Sequence, residues 1–289
     1  MPLTKTPLRY PGGKSQLRPF VKGLIKDSTA NFEEYIEPFC GGAGIAMELL
    51  LSNSVQRVWL NDLDAGIFSF WSAVVNETDR LSRWIEEVPL TIPEWDAQRE
   101  VVRGASKDSG YDFELGAANF YMSRTNRSGV IRGGVIGGRE QTGKYKMDCR
   151  FNKKSLVSLV RRIGSQADRI RVTNLNGADV ISGAPFVASD PQLCLLYADP
   201  PYVRKAEGLY MNYFQPDDHE QLRDALLASD FPYWFATYDD EPLIRELYET
   251  NDPQRIDVTY SASGRRRVSE LLIMSAELTQ ALPRPSPGL

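Results

Sequence analysis

The sequence predicts an α/β protein built on a doubly wound, mostly parallel sheet with an antiparallel C-terminal strand pair, interrupted by a helical, basic insertion. Three observations carry this prediction. Short apolar runs of strand length alternate with amphipathic stretches of helix length on both sides of the middle of the chain. One run ends at a glycine turn, CGGAG, and two others end at Asn61-Asp62 and Asp199, as in a sheet that binds ligands beyond the carboxyl ends of its strands. Between them, residues 77–154 lose the strand rhythm and gain arginine and lysine.

In order, EEYIEPF (33–39) is a strand, CGGAG a small-residue turn and IAMELLL a helix. QRVWLND (56–62) is a second strand, followed by the helix AGIFSFWSAVV. Inside the insertion PEWDAQREVV and ELGAANFYMSRT are helical, and NRSGVIRGGVIGGREQTGKYK (126–146) is a glycine-rich loop or hairpin; a loop of that length is either functional or disordered. From Ser155 the rhythm returns with helix SLVSLVRRIGSQ, strands RIRVTNL and QLCLLYADP, helix HEQLRDALLAS, strand YWFATY and helix EPLIRELYE. RIDVTYSA and SELLIMSA flank SGRRRV and form the antiparallel pair. The organisation is a discontinuous core domain, 1–76 with 155–282, an insertion at 77–154, and a disordered proline-rich tail at 283–289.

Composition removes several function classes. With 289 residues, 42% hydrophobic and 25% charged, the chain has the make-up of a soluble enzyme, and no apolar run approaches the roughly 18 residues that span a bilayer. The N-terminus, MPLTKTPLRYPGGK, does not resemble a secretory signal, so the expected location is the cytoplasm. Cys40, Cys149 and Cys194 lie far apart with no CxxC pair, so no metal site is expected. The single histidine, His219 in PDDHEQL, reads as a surface residue at a helix start rather than a general base, which argues against a hydrolytic triad. The net charge of -4 argues mildly against nucleic acid as a partner. From Arg124 to Arg162, however, Arg127, Arg132, Arg139, Lys144, Lys146, Arg150, Lys153, Lys154 and Arg161 are opposed only by Glu140 and Asp148.

Three short stretches carry chemistry. FCGGAG follows a strand and opens a helix, and Asp62 comes about 20 residues later, where an acid can hold ribose hydroxyls. This is nucleoside-cofactor geometry without the full G-x-G-x-x-G, so a NAD reading is weaker and a plain tight βα connection is the other alternative. PLRYPGGKSQL (7–17) has a glycine pair before Lys14 and Ser15, but a P-loop needs glycine where this chain has Leu8. In YADPPYVRK (197–205) an apolar run breaks at Asp199. Either a strand carries a carboxylate to the ligand edge, or it reaches the surface in a proline-stabilised turn.

Together and in this order, RYPGGK (9–14), EPFCGGAG (37–44), Asn61-Asp62, NRSG (126–129) and ADPPY (198–202) resemble the motifs of the Dam-like DNA adenine-N6 methyltransferases, the D12 class with a D-P-P-Y catalytic motif. The resemblance covers nearly the whole chain. It implies a Rossmann-like methyltransferase fold and site-specific transfer of a methyl group from S-adenosylmethionine to N6 of a flipped-out adenine in double-stranded DNA, leaving S-adenosylhomocysteine. It also implies that Tyr10 and Lys14 line the cofactor pocket, with Phe39, Cys40, Gly41 and Gly42 beneath the cofactor, Asp62 on its ribose, Asp179 near its adenine, and Asp199 at its edge. Asp199, Pro200, Pro201 and Tyr202 would be catalytic.

The amine of adenine is a poor nucleophile because its lone pair is delocalised into the ring. A carboxylate at Asp199 and the Pro200 carbonyl would each accept one N6 hydrogen and stabilise the charge that grows on nitrogen. The prolines hold these acceptors with a fixed φ and add no competing N–H. Tyr202 would stack on the base, a contact worth ~1–3 kcal/mol, and the target must leave the duplex first.

On the DNA side the resemblance points to Arg124, Asn126, Arg127, Arg132, Lys144 and Lys146, and to Arg265 and Arg266 in SGRRRV. Asn126 would read adenine and Arg127 or Arg132 guanine. Lys144, Lys146, Lys153 and Lys154 would neutralise phosphates. GATC is the target the resemblance suggests, although this insertion has more glycine and fewer aromatics than the family's recognition hairpin. The rival readings are methylation of an RNA adenine or a protein glutamine, against which Asp199 in place of asparagine argues, and a DNA-binding module that has lost catalysis, against which the intact D-P-P-Y argues. The host would be a prokaryotic or phage-infected cell, and both a solitary role and pairing with a cognate restriction endonuclease stay open.

Overall fold

A computed structural model of the protein describes residues 6–11, 14–106, 110–183, 190–203, 214–260 and 266–283. Seven strands form one sheet: β1 (Glu34–Glu37), β2 (Arg57–Asn61), β3 (Ile170–Thr173), β4 (Cys194–Ala198), β5 (Trp234–Asp239), β6 (Gln254–Tyr260) and β7 (Arg266–Met274). Their order is β3-β2-β1-β4-β5-β7-β6. The first five run parallel, and β7 pairs antiparallel with both β5 and β6. The sheet is therefore the mostly parallel one expected, with its antiparallel C-terminal pair. The chain winds outward from β1 in one direction and from β4 in the other, so the crevice between these two strands is the topological switch point where such sheets bind ligands.

Side chains alternate across every strand and sort the core onto two faces. Tyr35, Val58, Leu60, Leu195, Tyr197, Phe235 and Leu272 point to one face, and Ile36, Trp59, Leu196, Ala198, Trp234, Ala236, Tyr238, Leu271 and Ile273 to the other. The first face is covered by apolar residues of α1 (Arg18–Asp27), α2 (Gly44–Leu51), α3 (Ala65–Asn76), α4 (Thr78–Glu87), α5 (Ile92–Gly104), α6 (Phe113–Thr125) and α7 (Lys153–Gly164). The second is covered by α8 (Gly177–Ile181), α9 (Pro216–Leu227) and α10 (Pro242–Leu247). A last helix, α11 (Ala276–Ala281), returns Leu278 to the first face.

Capping chemistry explains several helix starts. Asp64 accepts from the Gly66 and Ile67 amides at 2.8 and 3.2 Å to open α3, Asp112 does the same for α6, and Asn152 caps α7. Proline stands in the first turn of α1, α5, α9 and α10, where its missing N–H costs no helical bond.

The helices of residues 77–154 share the core of the first face. α6 is buried along its length and packs on α3, with Phe120 stacked on Phe70 at a centroid distance of 5.4 Å. α4 packs on α7 and α5 on α6. His219 corrects an expectation: it is 1% exposed, packed between Phe214 and Tyr238, with Nδ1 3.4 Å from the Tyr238 hydroxyl. Two turns of apolar α9 residues, Leu222 and Leu226, continue its buried stripe at helical spacing. Among the described residues no helix is long and apolar enough to cross a membrane, and no cluster of metal-ligating side chains occurs.

Candidate active site

Three neighbouring strands, β2, β1 and β4, deliver their polar exits to one rim, because parallel strands end at the same edge. Asn61 knots this rim together. Its Nδ2 donates to the Pro38 and Leu175 carbonyls at 2.9 and 3.0 Å, while its Oδ1 accepts from the Thr173 hydroxyl and the Leu175 amide at 2.8 and 2.9 Å. The turn after β1 passes through Gly41 at φ +44, a left-handed conformation that suits glycine, and the Trp71 indole fixes it by donating to the Gly41 carbonyl at 2.9 Å. The Gly41 amide in turn donates to Asp62 Oδ2 at 2.8 Å, and the Asp64 amide to Asp62 Oδ1 at 3.0 Å. Burial, then the charge of Asp64, pushes the Asp62 carboxyl up to about 7 against these two hydrogen bonds.

Close approach at the glycine turn is made by this chain itself. A Cβ on Gly41 would lie 2.7 Å from the Tyr10 ring, so the absent side chain makes room for Tyr10, where the sequence suggested room for a ligand. Tyr10 and the turn are thus brought together. Phe39 packs against Gly177 at the start of α8 and edge-on to Phe214 at 6.0 Å. Cys40 is buried, and burial raises its thiol far above the ordinary range. Gly42 accepts from the Thr6 hydroxyl through its carbonyl. Asp179 stands exposed in the first turn of α8, further along the rim.

The turn after β4 is held from three sides. Thr237 on β5 donates to Asp199 Oδ1 at 3.0 Å and lies 2.8 Å from the Tyr197 hydroxyl. Asp239, at the end of β5, accepts from the Val203 amide at 3.1 Å. Lys14 Nζ is 3.4 Å from Asp199 Oδ1 and 2.5 Å from Glu270 Oε2, and it also donates to the Tyr202 hydroxyl. That hydroxyl donates to Glu270 Oε1 at 3.0 Å. Pro200 is buried and Pro201 half-buried. Burial raises the Asp199 carboxyl, the Lys14 ammonium opposes the rise, and Glu270 adds to it. Glu37, at the exit of β1, is buried with its carboxyl raised to about 8 and accepts from the Ala46 amide at 3.3 Å.

The segment running from Thr6 to Pro11 joins this rim to the insertion. On one side it contributes Tyr10 to the glycine turn; on the other, Arg124 donates to the Pro7, Thr6 and Arg150 carbonyls at 2.5, 3.3 and 3.4 Å. Arg9 donates to the Asn126 carbonyl at 3.3 Å, and Gly129, at φ +76, sits so close to the Arg9 carbonyl that a Cβ would approach within 2.5 Å. Two of the expected DNA contacts are therefore corrected. Arg124 is 5% exposed and committed to backbone carbonyls. Asn126 is fully buried, its Oδ1 accepting from the Trp95 indole at 2.7 Å and its Nδ2 donating to the Val130 and Ile131 carbonyls at 2.9 and 2.8 Å. Its carboxamide organises the loop, with both N–H groups spent on loop carbonyls and the whole side chain buried away from a base edge. Lys153 is half-buried, and its ammonium donates to the Glu86 and Val88 carbonyls at 2.8 and 2.7 Å where α4 ends, which uses two of its three N–H groups. Arg127, Arg132, Lys144 and Lys146 are exposed. Arg265 and the side chain of Arg266 lie outside the described residues.

Residues 10–262 match the family described as D12 class N6 adenine-specific DNA methyltransferase. The chain belongs to this family. The D12-class chain is also 34% identical over 237 residues to the type II methyltransferase M.MjaIII of Methanocaldococcus jannaschii, covering 74% of this chain and 76% of that protein. A more distant similarity, 14% identity with a TM-score of 0.39, relates it to the rRNA methyltransferase aviRa from Streptomyces viridochromogenes, covering 95% of this chain and 90% of that one. At that distance nothing about the reaction follows, and the fold rests on the strand order above. The enzyme is a site-specific DNA methyltransferase that uses a methyl donor to modify adenine N6.

Four residues of this D12-class site were not singled out from the sequence: Glu37, Thr237, Asp239 and Glu270. Thr237, Asp239 and Glu270 are polar residues in or beside apolar runs, Glu37 closes the short strand EYIE, and all four are buried. That was the available signal. A carboxylate in ELLIM or at the end of YWFATYD is costly to bury without a partner, so its presence marks a site where one is supplied.

Proposed function

We propose that S-adenosylmethionine is the methyl donor and that the target adenine is flipped out of double-stranded DNA onto the rim beside Asp199. The observation that supports this most is the fixing of the Asp199 carboxylate by Thr237 and Lys14, on the strand next to the one that carries the glycine turn. The sulfonium of the donor supplies a methyl group that is already activated. What the chain must add is alignment, which is the largest lever available to a bimolecular step.

Asp62 would hold the ribose hydroxyls. Each of its oxygens accepts one backbone N–H, which leaves acceptor capacity on both. Asp199 and the Pro200 carbonyl would accept the two N6 hydrogens, drawing the nitrogen lone pair out of the ring as it attacks. Tyr202 would lie against the base with its hydroxyl anchored on Glu270. The exposed Arg127, Arg132, Lys144 and Lys146 would meet the DNA backbone and groove.

The test is transfer of label from methyl-labelled S-adenosylmethionine to double-stranded DNA, followed by digestion to nucleosides. N6-methyladenine is the expected product, and an analogue at the target position that fluoresces when unstacked should brighten on binding. Label found only in RNA or protein, or none in DNA, would overturn the reading.

A further inference from the structure

We propose that Glu270 is a positioning residue of the methyl-transfer site: its buried carboxylate on β7 holds the Lys14 ammonium and the Tyr202 hydroxyl together and, through them, sets the place of Asp199. The inference rests on the reading of Asp199 and Tyr202 as the adenine-binding pair.

Glu270 is fully buried, and the strand continues from it as the apolar run Leu271, Leu272, Ile273. A carboxylate is kept in such a position only where partners replace its water. Each oxygen has such a partner among the described residues: Lys14 Nζ lies 2.5 Å from Oε2 and the Tyr202 hydroxyl 3.0 Å from Oε1. Tyr202 donates to Glu270 and accepts from Lys14, so both functions of its hydroxyl are used within this one cluster. Lys14 Nζ also lies 4.8 Å from the centre of the Tyr202 ring and 3.4 Å from Asp199 Oδ1.

These groups come from three separate pieces of chain: the N-terminal segment, the turn after β4, and β7. Their spacing is not fixed by local structure. Glu270 bonds both Lys14 and Tyr202, and it is built into the sheet opposite Asp239, which holds the Val203 amide at the far end of the same turn. The strand pair β5–β7 thus grips the catalytic turn at Asp199, Tyr202 and Val203. A buried pair whose only task is stability can be exchanged for apolar residues of similar volume. A positioning pair cannot, because its geometry is what the reaction uses.

The charges that face Asp199 set what a titration should show. Lys14 from the N-terminal segment and Glu270 on β7 are the charged ones, while burial keeps the other titratable groups facing it, Glu37 and Tyr35 on β1, Tyr197 on β4 and Tyr238 on β5, toward their neutral forms. Lys14 favours the Asp199 carboxylate and Glu270 opposes it. Removing one or the other charge should therefore move the acid limb of kcat in opposite directions: to lower pH in Glu270→Gln and to higher pH in Lys14→Gln.

The experiment compares wild type, Glu270→Gln, Lys14→Gln and the double variant, on the full chain. One readout is steady-state methyl transfer to DNA across pH; the other is the 13C carboxyl resonance of Asp199, which needs no turnover. In Glu270→Gln we expect kcat to fall about tenfold, the scale of one lost charge-assisted hydrogen bond, with KM for DNA unchanged and the Asp199 titration displaced downward. In Lys14→Gln the displacement is upward. Should Glu270→Gln fail to fold, the double variant removes both charges together and should fold with kcat still depressed. Wild-type kcat and an undisplaced Asp199 titration in Glu270→Gln, or wild-type kcat in the double variant, would overturn the proposal. A wild-type enzyme that methylates no DNA would instead overturn the functional reading, while the carboxyl titration would still report whether Glu270 and Lys14 govern Asp199.

Discussion

The Thr237 hydroxyl donates to Asp199 Oδ1 at 3.0 Å, and the Tyr197 hydroxyl lies 2.8 Å behind it. With Tyr197 as donor, a chain of hydrogen bonds runs from the sheet interior to the carboxylate, each link polarising the next. One Asp199 oxygen is thereby fixed, and in the proposed mechanism the other accepts from the substrate amine. Thr237→Val keeps the volume of the side chain and removes the donor. We expect kcat to fall by about tenfold, with KM for DNA and donor within twofold, in steady-state assays. Unchanged turnover would show that Asp199 is oriented without its neighbour on β5.

Asp199 itself should separate chemistry from binding. Asp199→Asn keeps shape and one acceptor oxygen but loses the charge that answers the positive nitrogen, whereas Asp199→Ala loses both. Single-turnover rates should fall by about 10²–10³-fold in the first and further in the second, while calorimetry finds S-adenosylmethionine affinity within a few-fold of wild type. A fast Asp199→Ala enzyme would reassign the acceptor role.

If Asp62 holds the donor's ribose as proposed, donor binding takes on a pH dependence of its own. Its carboxyl is pushed up to about 7 by burial and by Asp64, so it is largely neutral below that pH and a carboxylate above it. Ribose hydroxyls donate, and a carboxylate accepts more strongly than a carboxylic acid. Affinity for S-adenosylmethionine should rise severalfold between about pH 6 and 8, and Asp62→Asn should flatten that slope. Stability follows the opposite course. The native state holds a proton that an unfolded aspartate releases near pH 4, so the contribution of Asp62 is full below about 4 and is lost as pH rises through about 7. Denaturant midpoints of wild type and Asp62→Asn should diverge over that interval, with the asparagine variant the more stable at pH 8.

What the sequence made legible follows from where its signals are local. Strand exits were readable because a break such as LLYADPPY sits inside one short window, and the rim followed from parallel strands sharing an edge. Helices α1 and α4 were not, since each shows only a thin apolar stripe, Val21 with Leu24 and Leu81 with Ile85, among charged residues. Glu270 was hidden for a different reason: its partners are Lys14 and Tyr202, 256 and 68 residues away, and no periodicity reports such a meeting. Arg124 and Asn126 misled because residue type alone suggests a nucleic-acid contact, while burial and partners, which decide the matter, depend on how α6 packs against the N-terminal segment.

That distinction is measurable on DNA. Arg124 is packed beside Arg9 and Arg150, and burial brings its guanidinium down to about 9, which is tolerable only because three carbonyls surround it. Arg124→Met would strand those carbonyls and should lower stability on the order of 3 kcal/mol in denaturant titrations, yet leave the salt dependence of DNA binding where it was. Lys144 and Lys146 are exposed and carry the opposite expectation. Their double replacement by alanine should change stability by no more than about 0.5 kcal/mol and reduce the slope of log affinity against log salt by about 2, roughly one counterion for each phosphate that is no longer neutralised. Equal slopes in wild type and the double lysine variant would remove residues 144–146 from the DNA-facing surface, and a reduced slope in Arg124→Met would return Arg124 to it.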